Sequence, residues 1–460
     1  MTGFNDSCAK CLNAIDEVLW GKCLILLLVG VGLFLTFRLK GMQFRYLAYS
    51  LKLAFTRQDH EAEGDISHFQ SLMTALAATI GIGSIAGVAT AIVAGGFGAI
   101  FWMWVIALIG MVTKFAEAIL AVKYRIVDKR GQMCGGPMYY ISQGLGWKWL
   151  AVTFAVFGSL SAFVGGNMTQ SNSIAAALTD LVHVPPLWTG IVLTIMTSIV
   201  LLGGIRSIGK VSSYLVPVMA LMYIGGGLVI LFLRFDRIPE SLYMIVKTAF
   251  TGQAAFGGFL GASMMAAVQL GVARGVSSNE AGLGSAPIAA AAAKTDVPGR
   301  QALVSMTGVF LSSLVVCTIT ALVISVTDVL GTTDAHGIAL NGATLVMHAF
   351  QSVIPGGGAI VALGLVLFGY STIVGWAYYG EKCMEFLAGE KVLIIYRAIF
   401  CAIVLLGALI SFDIVWPLVD IMNGLMAFPN LIAIFALSGV VVAEAHSFFA
   451  LVRSERLSKA

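Results

Sequence analysis

The chain has 460 residues, of which 59% are hydrophobic and 11% are charged, and its formal net charge is +4. A soluble globular domain has about 45–50% apolar and about 25% charged residues, so this composition excludes an ordinary soluble domain. Apolar windows of roughly 18 residues or more recur along the chain, and each one is a candidate spanning helix. Membrane barrels instead alternate in segments of about ten residues. Since a helix satisfies its backbone groups within its own segment, we predict an all-α integral membrane protein.

In chain order we predict about eleven spanning helices. A preliminary helix covers 21–37; its apolar run has no small-residue cleavage site, so we expect a retained span rather than a cleaved signal peptide. The first set of five helices covers 71–95, 98–124, 150–177, 187–202 and 211–233. The second set covers 256–273 with a continuation to 293, then 302–326, 357–379, 392–412 and 415–442. The chain then divides into four parts: 1–70 (extracellular N-terminus, preliminary helix and cytoplasmic linker), 71–235 (first repeat), 236–446 (second repeat) and 447–460 (cytoplasmic tail).

The distribution of basic residues predicts the orientation. If the N-terminus lies outside, the outside segments hold five of the 27 Lys and Arg residues, and two more lie within spans. The remaining 20 are on the inside, as the positive-inside rule requires for a cytoplasmic C-terminus. A five-helix set that enters from the inside is then followed by one that enters from the outside. The two sets are therefore predicted to be inverted repeats, as in many secondary transporters.

The segment 75–86, ALAATIGIGSIA, holds two glycines in an apolar helix. Each glycine weakens a helix by about 1 kcal/mol relative to alanine, so Gly81 and Gly83 mark a point of unwinding. Carbonyls freed there suit a small hard cation, and the N-terminus of a half-helix suits a carboxylate. The alternative is that small residues only allow close helix packing.

Polar residues inside two later spans indicate a bundle interior. The segment 165–173, GGNMTQSNS, brings amides and hydroxyls into one helix, and such groups are costly in lipid. Ser371 and Thr372, beside Tyr370 and Trp376, offer adjacent hydroxyls for an oxygen cage around Na⁺. The alternative for these hydroxyls is hydrogen bonding to their own helix.

Few ionisable residues fall within the predicted spans. Lys114 and Glu117 are expected to pair near the cytoplasmic end of their helix. Arg274 and Glu280 are expected at the cytoplasmic mouth, as gating or structural ion pairs. No carboxylate is expected at the membrane midplane, which favours Na⁺ coordination by neutral oxygens over proton coupling.

Other function classes lack their motifs. No GxxxxGK[ST] or HExxH segment is present, so neither ATP-driven transport nor an enzyme is predicted. The pair Cys8 and Cys11 has no second CxxC to complete a metal site. No basic run indicates a nucleic-acid partner, and no organic cofactor is expected.

Several segments resemble the alanine or glycine:cation symporter family. The resemblance runs from about residue 71 to 381 and is carried by ALAATIGIGSIAGVATAI, GGNMTQSNSIA, SNEAGLGSAPIAAAAA and FGYSTIVGWAYYGEK. It implies a leucine-transporter-like fold, in which one preliminary helix precedes two inverted five-helix repeats. It also implies Na⁺-driven uptake of alanine, glycine or a similar small amino acid by alternating access. We expect a monomer in the plasma (inner) membrane, with D-alanine as a further candidate substrate.

The resemblance also implies roles for individual residues. The sodium ligands are expected to be the carbonyls of the first core helix and of the eighth, with two hydroxyls: Ala77, Ile80, Phe368, Ser371 and Thr372. The substrate is expected to meet the unwound segment and a pocket wall: Ile82, Gly83, Ser84, Gln170, Tyr370, Val374 and Trp376.

One departure from the family affects the substrate. The family usually reads GTGN where this chain has Gly81, Ile82, Gly83 and Ser84. Two polar groups are replaced at the expected substrate contact, whereas the expected sodium ligands are unaffected. Two alternatives therefore stay open: a proton-coupled or ion-independent carrier of another small zwitterion, and a transport-inactive sensor or a channel.

Overall fold

A computed structural model describes residues 15, 18–56, 63–251, 264–295, 297–333, 337, 339–410 and 412–457. Helices dominate this part of the chain, as predicted. By length and composition, seven of the helices in it could cross a membrane, or eight if one bent pair counts as a span. The all-α membrane class is therefore confirmed, and the count of eleven spans stays a prediction.

The N-terminal part consists of two helices with an 84° bend between them. They are α1 (Lys22–Arg38) and α2 (Met42–Phe55). The bend passes through Lys40 and Gly41, whose φ angles of 54° and 61° are left-handed. Helix α1 matches the predicted preliminary helix. Helix α2 has a buried face and an exposed face, which is typical of a helix lying at a membrane surface.

The next part contains the first broken helix. Its elements are α3 (His68–Thr79), α4 (Ala86–Gly95), α5 (Gly98–Lys123), β1 (Ile126–Val127), β2 (Met133–Cys134), α6 (Pro137–Tyr140), α7 (Lys148–Phe163), α8 (Thr169–Val182), α9 (Pro186–Leu202) and α10 (Gly204–Leu233). Strands β1 and β2 form a short antiparallel hairpin. A π-helical turn, Val164–Met168, joins α7 to α8 in one long helix.

The last part contains the second broken helix. Its elements are α11 (Ile238–Thr251), α12 (Met264–Asn279), α13 (Ala286–Ala291), α14 (Pro298–Val309), α15 (Thr318–Thr327), α16 (Gly342–Gln351), α17 (Gly357–Ala388), α18 (Leu393–Leu409), α19 (Phe412–Ala436) and α20 (Ser438–Leu457). Another π-helical segment, Phe310–Cys317, joins α14 to α15. The first residues of the predicted span 256–273 lie outside the described residues.

The C-terminal end differs from the expectation. The predicted span 415–442 is divided between α19 and α20, with Leu437 at the turn. The predicted tail 447–460 is helical as far as Leu457, and it packs on the protein: Phe448 is buried, and the rings of Tyr46 and Phe449 are stacked at 4.3 Å. Apolar residues in this segment explain the packing, because a solvated tail would expose them.

Two long helices hold the broken helices in place. Helices α5 and α17 are largely buried, and each contacts both broken segments, α3–α4 and α12–α13. Small residues allow this approach: a Cβ on Gly375 of α17 would lie 3.0 Å from Ala78 of α3. The two breaks therefore face the same interior region of the bundle.

Candidate functional site

The first broken helix is interrupted where the two glycines predict it. Helix α3 ends at Thr79, Gly81 is extended, and a single 3₁₀ turn (Ile82–Ser84) precedes α4. Two hydrogen bonds stabilise this turn, from the Ser84 amide to the Gly81 carbonyl and from the Ile85 amide to the Ile82 carbonyl, at 3.1 Å each. Both bonds are local, and one further bond comes from another helix: Thr320 Oγ1 of α15 donates to the Ser84 carbonyl at 3.1 Å.

Four of the five expected sodium ligands lie together beside this break. The Ser371 hydroxyl donates to the Ala77 carbonyl at 3.2 Å and to the Phe368 carbonyl at 2.9 Å. The Thr372 hydroxyl donates to the same two carbonyls at 3.0 and 2.9 Å. The bonds to Phe368 stay within α17, as the alternative to a sodium site predicts. The bonds to Ala77 join α17 to α3. Ile80 lies at the end of α3, and neither hydroxyl donates to its carbonyl among the described residues.

A small cavity of about 50 Å³ lies between the two broken helices. One water-sized sphere needs about 10–15 Å³ of such space, so the cavity holds a solute of only a few heavy atoms. Among the predicted substrate residues, Gly83, Gln170 and Trp376 line it. The other lining residues are Ala78, Thr79, Gly81, Gly165, Thr169, Ser277, Glu280, Leu283, Thr372, Val419 and Asn423.

The π-helical turn between α7 and α8 positions Gln170. Its side-chain amide donates to the Gly165 carbonyl, five residues earlier, at 3.1 Å. The Gln170 Oε1 atom is buried and has no hydrogen-bond partner among the described residues. Because a buried acceptor without a partner costs free energy, this atom is suited to receive a donor from a bound molecule.

Four predicted substrate residues do not line the small cavity. Ile82 instead lines a separate cavity of about 560 Å³, together with Arg274. Ser84 is buried, and its hydroxyl lies 3.2 Å from the Ser278 hydroxyl. Tyr370 and Val374 are buried within α17 and are not among the lining residues.

Glu280 was not expected at this site. It lies directly after α12, in the second break, with a left-handed φ of 56°. Its carboxylate accepts from Trp376 Nε1 at 3.0 Å and from the Ser285 hydroxyl at 2.6 Å, and it lines the small cavity. The sequence predicts that Glu280 forms a gating or structural ion pair, whereas the structure places its carboxylate on the wall of the small cavity. The signal was present in the sequence, because Gly282, Gly284 and Pro287 follow this glutamate.

The expected ion pairs also have other partners. Arg274 forms an ion pair with Asp420 of α19, and it lines the large cavity. Glu117 Oε1 accepts from the amides of Gly282 and Gly284 at 3.0 and 3.1 Å, and from Asn430 Nδ2 at 2.7 Å. Glu117 therefore holds the second break. The predicted pair with Lys114 is wrong, because Lys114 Nζ is buried without a hydrogen-bond partner among the described residues.

A cluster of charged groups lies where the β-hairpin meets the end of α17. Asp128, Cys134 and Glu385 place ligand atoms within 4.8 Å of one another. However, Lys382 Nζ lies 3.1 Å from the Cys134 sulfur and 2.9 Å from Glu385 Oε2. Burial raises the pKa of the Cys134 thiol to about 11, so the thiol is protonated at neutral pH and is a weak ligand. The cluster is therefore an ion network that joins the hairpin to α17.

The comparisons with known proteins agree with this geometry. The family model described as the sodium:alanine symporter family matches residues 5–459. This chain belongs to the sodium:alanine symporter family. The sodium/alanine symporter AgcS of Methanococcus maripaludis is 54% identical over 96% of this chain and 98% of its own length. The probable sodium/glutamine symporter GlnT of Bacillus subtilis is 39% identical over 93% of this chain and 87% of its own length.

A solved structure shows the fold. MhsT, in complex with L-phenylalanine, superposes with a TM-score of 0.61 at 14% identity, over 84% of this chain and 93% of MhsT. The leucine-transporter-like fold is therefore confirmed. Family membership makes the protein a multi-pass membrane transporter rather than an enzyme, and it supports sodium-coupled amino-acid symport.

Proposed function

We propose that this protein imports a small neutral amino acid, namely alanine, glycine or D-alanine, together with Na⁺ by alternating access. Thr372 carries the proposal. Its hydroxyl lies among the four oxygens beside the first break, and its side chain also lines the small cavity. One residue therefore contacts both regions, so occupancy of either is expected to affect the other.

The sodium ion is expected at Ala77, Ile80, Phe368, Ser371 and Thr372. These residues offer carbonyl and hydroxyl oxygens, which are hard, neutral ligands. Four of the oxygens already lie within hydrogen-bond distance of at least one other. A cation at this place would be bound by the lone pairs of both hydroxyl oxygens after their hydrogens rotate away from the carbonyls. This rotation needs little movement of α3 or α17.

The amino acid is expected in the small cavity. Its carboxylate would meet the amides of the unwound segment 81–84, where α4 begins. Its ammonium group would donate to the free Oε1 of Gln170. The cavity volume of about 50 Å³ favours alanine or glycine over a long side chain such as that of glutamine.

The topology proposal follows from the basic residues. We propose that the N-terminus is outside and the C-terminus cytoplasmic, in a plasma-membrane monomer. The segments 71–235 and 236–446 would be inverted repeats. The first begins within the broken helix α3–α4, and the second reaches the broken helix α12–α13 after one helix, α11. Cysteine labelling from either side of the membrane tests the orientation.

Glu280 supports a second candidate function, a proton-coupled carrier. It is a buried carboxylate on the cavity wall, and protonation would alter its bonds to Trp376 and Ser285. Glu280→Gln separates the two functions. A sodium-coupled carrier should keep its Na⁺ dependence in this variant, whereas a proton-coupled carrier should lose uptake driven by a pH gradient.

Uptake into proteoliposomes tests the proposed function. Radiolabelled alanine and glycine are supplied with an inward Na⁺ gradient, with K⁺ replacing Na⁺, and with an inward proton gradient alone. Accumulation only with Na⁺, with competition by unlabelled alanine but not by glutamine, is the expected result. Accumulation under the proton gradient alone would favour the second candidate. Glutamine competition as strong as that of alanine would contradict the small-substrate proposal.

A further inference from the structure

A separate pocket lies at the bend between α1 and α2, where α20 packs against it. Its volume is about 260 Å³. Three segments that are distant in sequence meet there: the end of α1, the start of α2 and the second half of α20. The lining residues are Leu39, Lys40, Arg45, Tyr46, His446, Phe449, Ala450 and Arg453.

The ionisable nitrogen-containing side chains of this pocket are all basic. Lys40, Arg45, His446 and Arg453 are exposed, and no acidic residue lines the pocket in the part of the chain that the structure describes. None of the four has a carboxylate partner among the described contacts. By contrast, Glu444, which also lies on α20, is paired with Lys123. The pocket therefore carries an uncompensated positive charge that suits an anion.

The floor of the same pocket is apolar. Leu39 and Tyr46 are buried, and the Tyr46 and Phe449 rings stack at 4.3 Å. The Arg45 guanidinium lies 5.8 Å from the centre of the Tyr46 ring, which holds one cation at the edge of this floor. A basic rim over an apolar floor fits a ligand that has an anionic group beside apolar atoms, rather than a fully hydrated ion.

The two helices around the bend indicate that the pocket lies near a membrane surface. Helix α1 is apolar along its length, and the chain turns by 84° immediately after it. Helix α2 exposes Phe44 and Phe55, which are 63% and 60% exposed, on the side away from the protein. A helix of this kind lies in the plane of the interface. We therefore expect the bend, and with it the pocket, at the level of the phospholipid headgroups.

We propose that this pocket binds the phosphate headgroup of an anionic phospholipid. The phosphate would be held by Arg45, Arg453 and Lys40, and the glycerol and upper acyl carbons would cover Leu39 and Phe449. Basic pockets between helices at such interfaces suit anionic headgroups. The apolar floor and the interfacial position favour a lipid over free phosphate. A lipid bound there would join α2 to α20, so it should stabilise the folded protein.

Thermal unfolding of the purified full-length protein in detergent tests this proposal. The probes are dioleoyl phosphatidylglycerol, dioleoyl phosphatidylcholine, inorganic phosphate and glycerol 3-phosphate. Phosphatidylglycerol should raise the Tm of the wild type by about 3 °C or more relative to phosphatidylcholine, because a ligand that binds only the folded state stabilises it. The two soluble phosphates should have no comparable effect.

Three double variants give the test its specificity. Arg45→Gln with Arg453→Gln should lose the phosphatidylglycerol shift while keeping the wild-type Tm in phosphatidylcholine. Lys52→Gln with Lys210→Gln removes the same charge from exposed positions outside the pocket, and it should keep the shift. Arg45→Lys with Arg453→Lys keeps the charge and should retain most of the shift.

Several results would contradict the proposed lipid site. A shift that survives in the Arg45→Gln, Arg453→Gln variant, or that is lost equally in the Lys52→Gln, Lys210→Gln variant, would mean general attraction to an anionic surface. A shift produced by inorganic phosphate or glycerol 3-phosphate would mean a soluble-anion site. Either result would overturn the proposal, as would the absence of a shift in the wild type.

Discussion

The two broken helices form opposite kinds of wall around the small cavity. The first break is neutral, and its turn is held by local hydrogen bonds between residues 81–85 and by one bond from Thr320 of α15 to the Ser84 carbonyl. The second break contains the Glu280 carboxylate, and two of its amides are bonded to Glu117 of α5. The difference indicates separate roles. The first break offers backbone groups to ligands, whereas the second is a fixed wall whose backbone groups already have hydrogen-bond partners.

Removal of the Glu117 carboxylate tests whether the second break is fixed. Of the variants proposed, it should lower the free energy of unfolding most. Glu117→Ala leaves the amides of Gly282 and Gly284 and the Asn430 side chain without their acceptor. Each unsatisfied buried donor costs about 1–3 kcal/mol, so we expect a loss of roughly 3 kcal/mol or more in the free energy of unfolding.

Thermal unfolding in detergent checks this expectation. Glu117→Gln keeps an acceptor oxygen at the same position and should retain most of the stability. Glu444→Ala, which removes a partly exposed carboxylate paired with Lys123, should cost at most about 1 kcal/mol. Equal stability of Glu117→Ala and the wild type would mean that the second break is not held by α5.

A matched pair of glycine variants tests the first break. A Cβ at Gly81 would lie 2.6 Å from Thr372 Oγ1, so Gly81→Ala must displace the hydroxyl. At Gly83 the nearest atom is the Ser277 carbonyl oxygen, at 3.8 Å, which is an ordinary contact. We expect Gly81→Ala to raise the half-saturating Na⁺ concentration about ten-fold, equivalent to about 1.4 kcal/mol, and Gly83→Ala to leave it unchanged. Equal effects at both positions would contradict the assignment of Thr372 to sodium.

The sequence predicts the first break better than the second. The glycine pair in an otherwise apolar helix marks the first break clearly. In the second, the sequence predicts a gating or structural ion pair for Glu280, because a sequence does not show that Trp376 and Ser285 satisfy a buried carboxylate. Those partners are 96 and 5 residues away, so only the tertiary structure identifies the first of them.

The detailed orientation of site residues was also beyond the sequence. Ile82 and Ser84 were expected to face one substrate, yet they lie in a 3₁₀ turn. With three residues per turn, positions two apart point in different directions, so both cannot face the cavity. The position of Gln170 depends on a π-helical turn, whose register shift has no signature in the local composition.

Ser84→Ala should have the smallest effect of these variants. The hydroxyl bonds to Ser278 and lies away from the small cavity, so its loss should cost about 1 kcal/mol in stability. The relative competition by alanine, glycine and D-alanine in the uptake assay should not change. A changed order of competitors would instead place Ser84 in the substrate pocket, as the comparison with the family motif predicted.

The most direct test of the central claim is the Na⁺ dependence of amino-acid uptake in Thr372→Ala and Thr372→Ser. Thr189→Ala, which removes a buried hydroxyl from α9 outside the site, is the matched control. We predict that Thr372→Ala raises the half-saturating Na⁺ concentration at least about ten-fold, equivalent to about 1.4 kcal/mol or more, while Thr372→Ser and Thr189→Ala stay near the wild type. An unchanged Na⁺ dependence in Thr372→Ala, with normal folding, would contradict the proposal that this residue links the cation to the substrate.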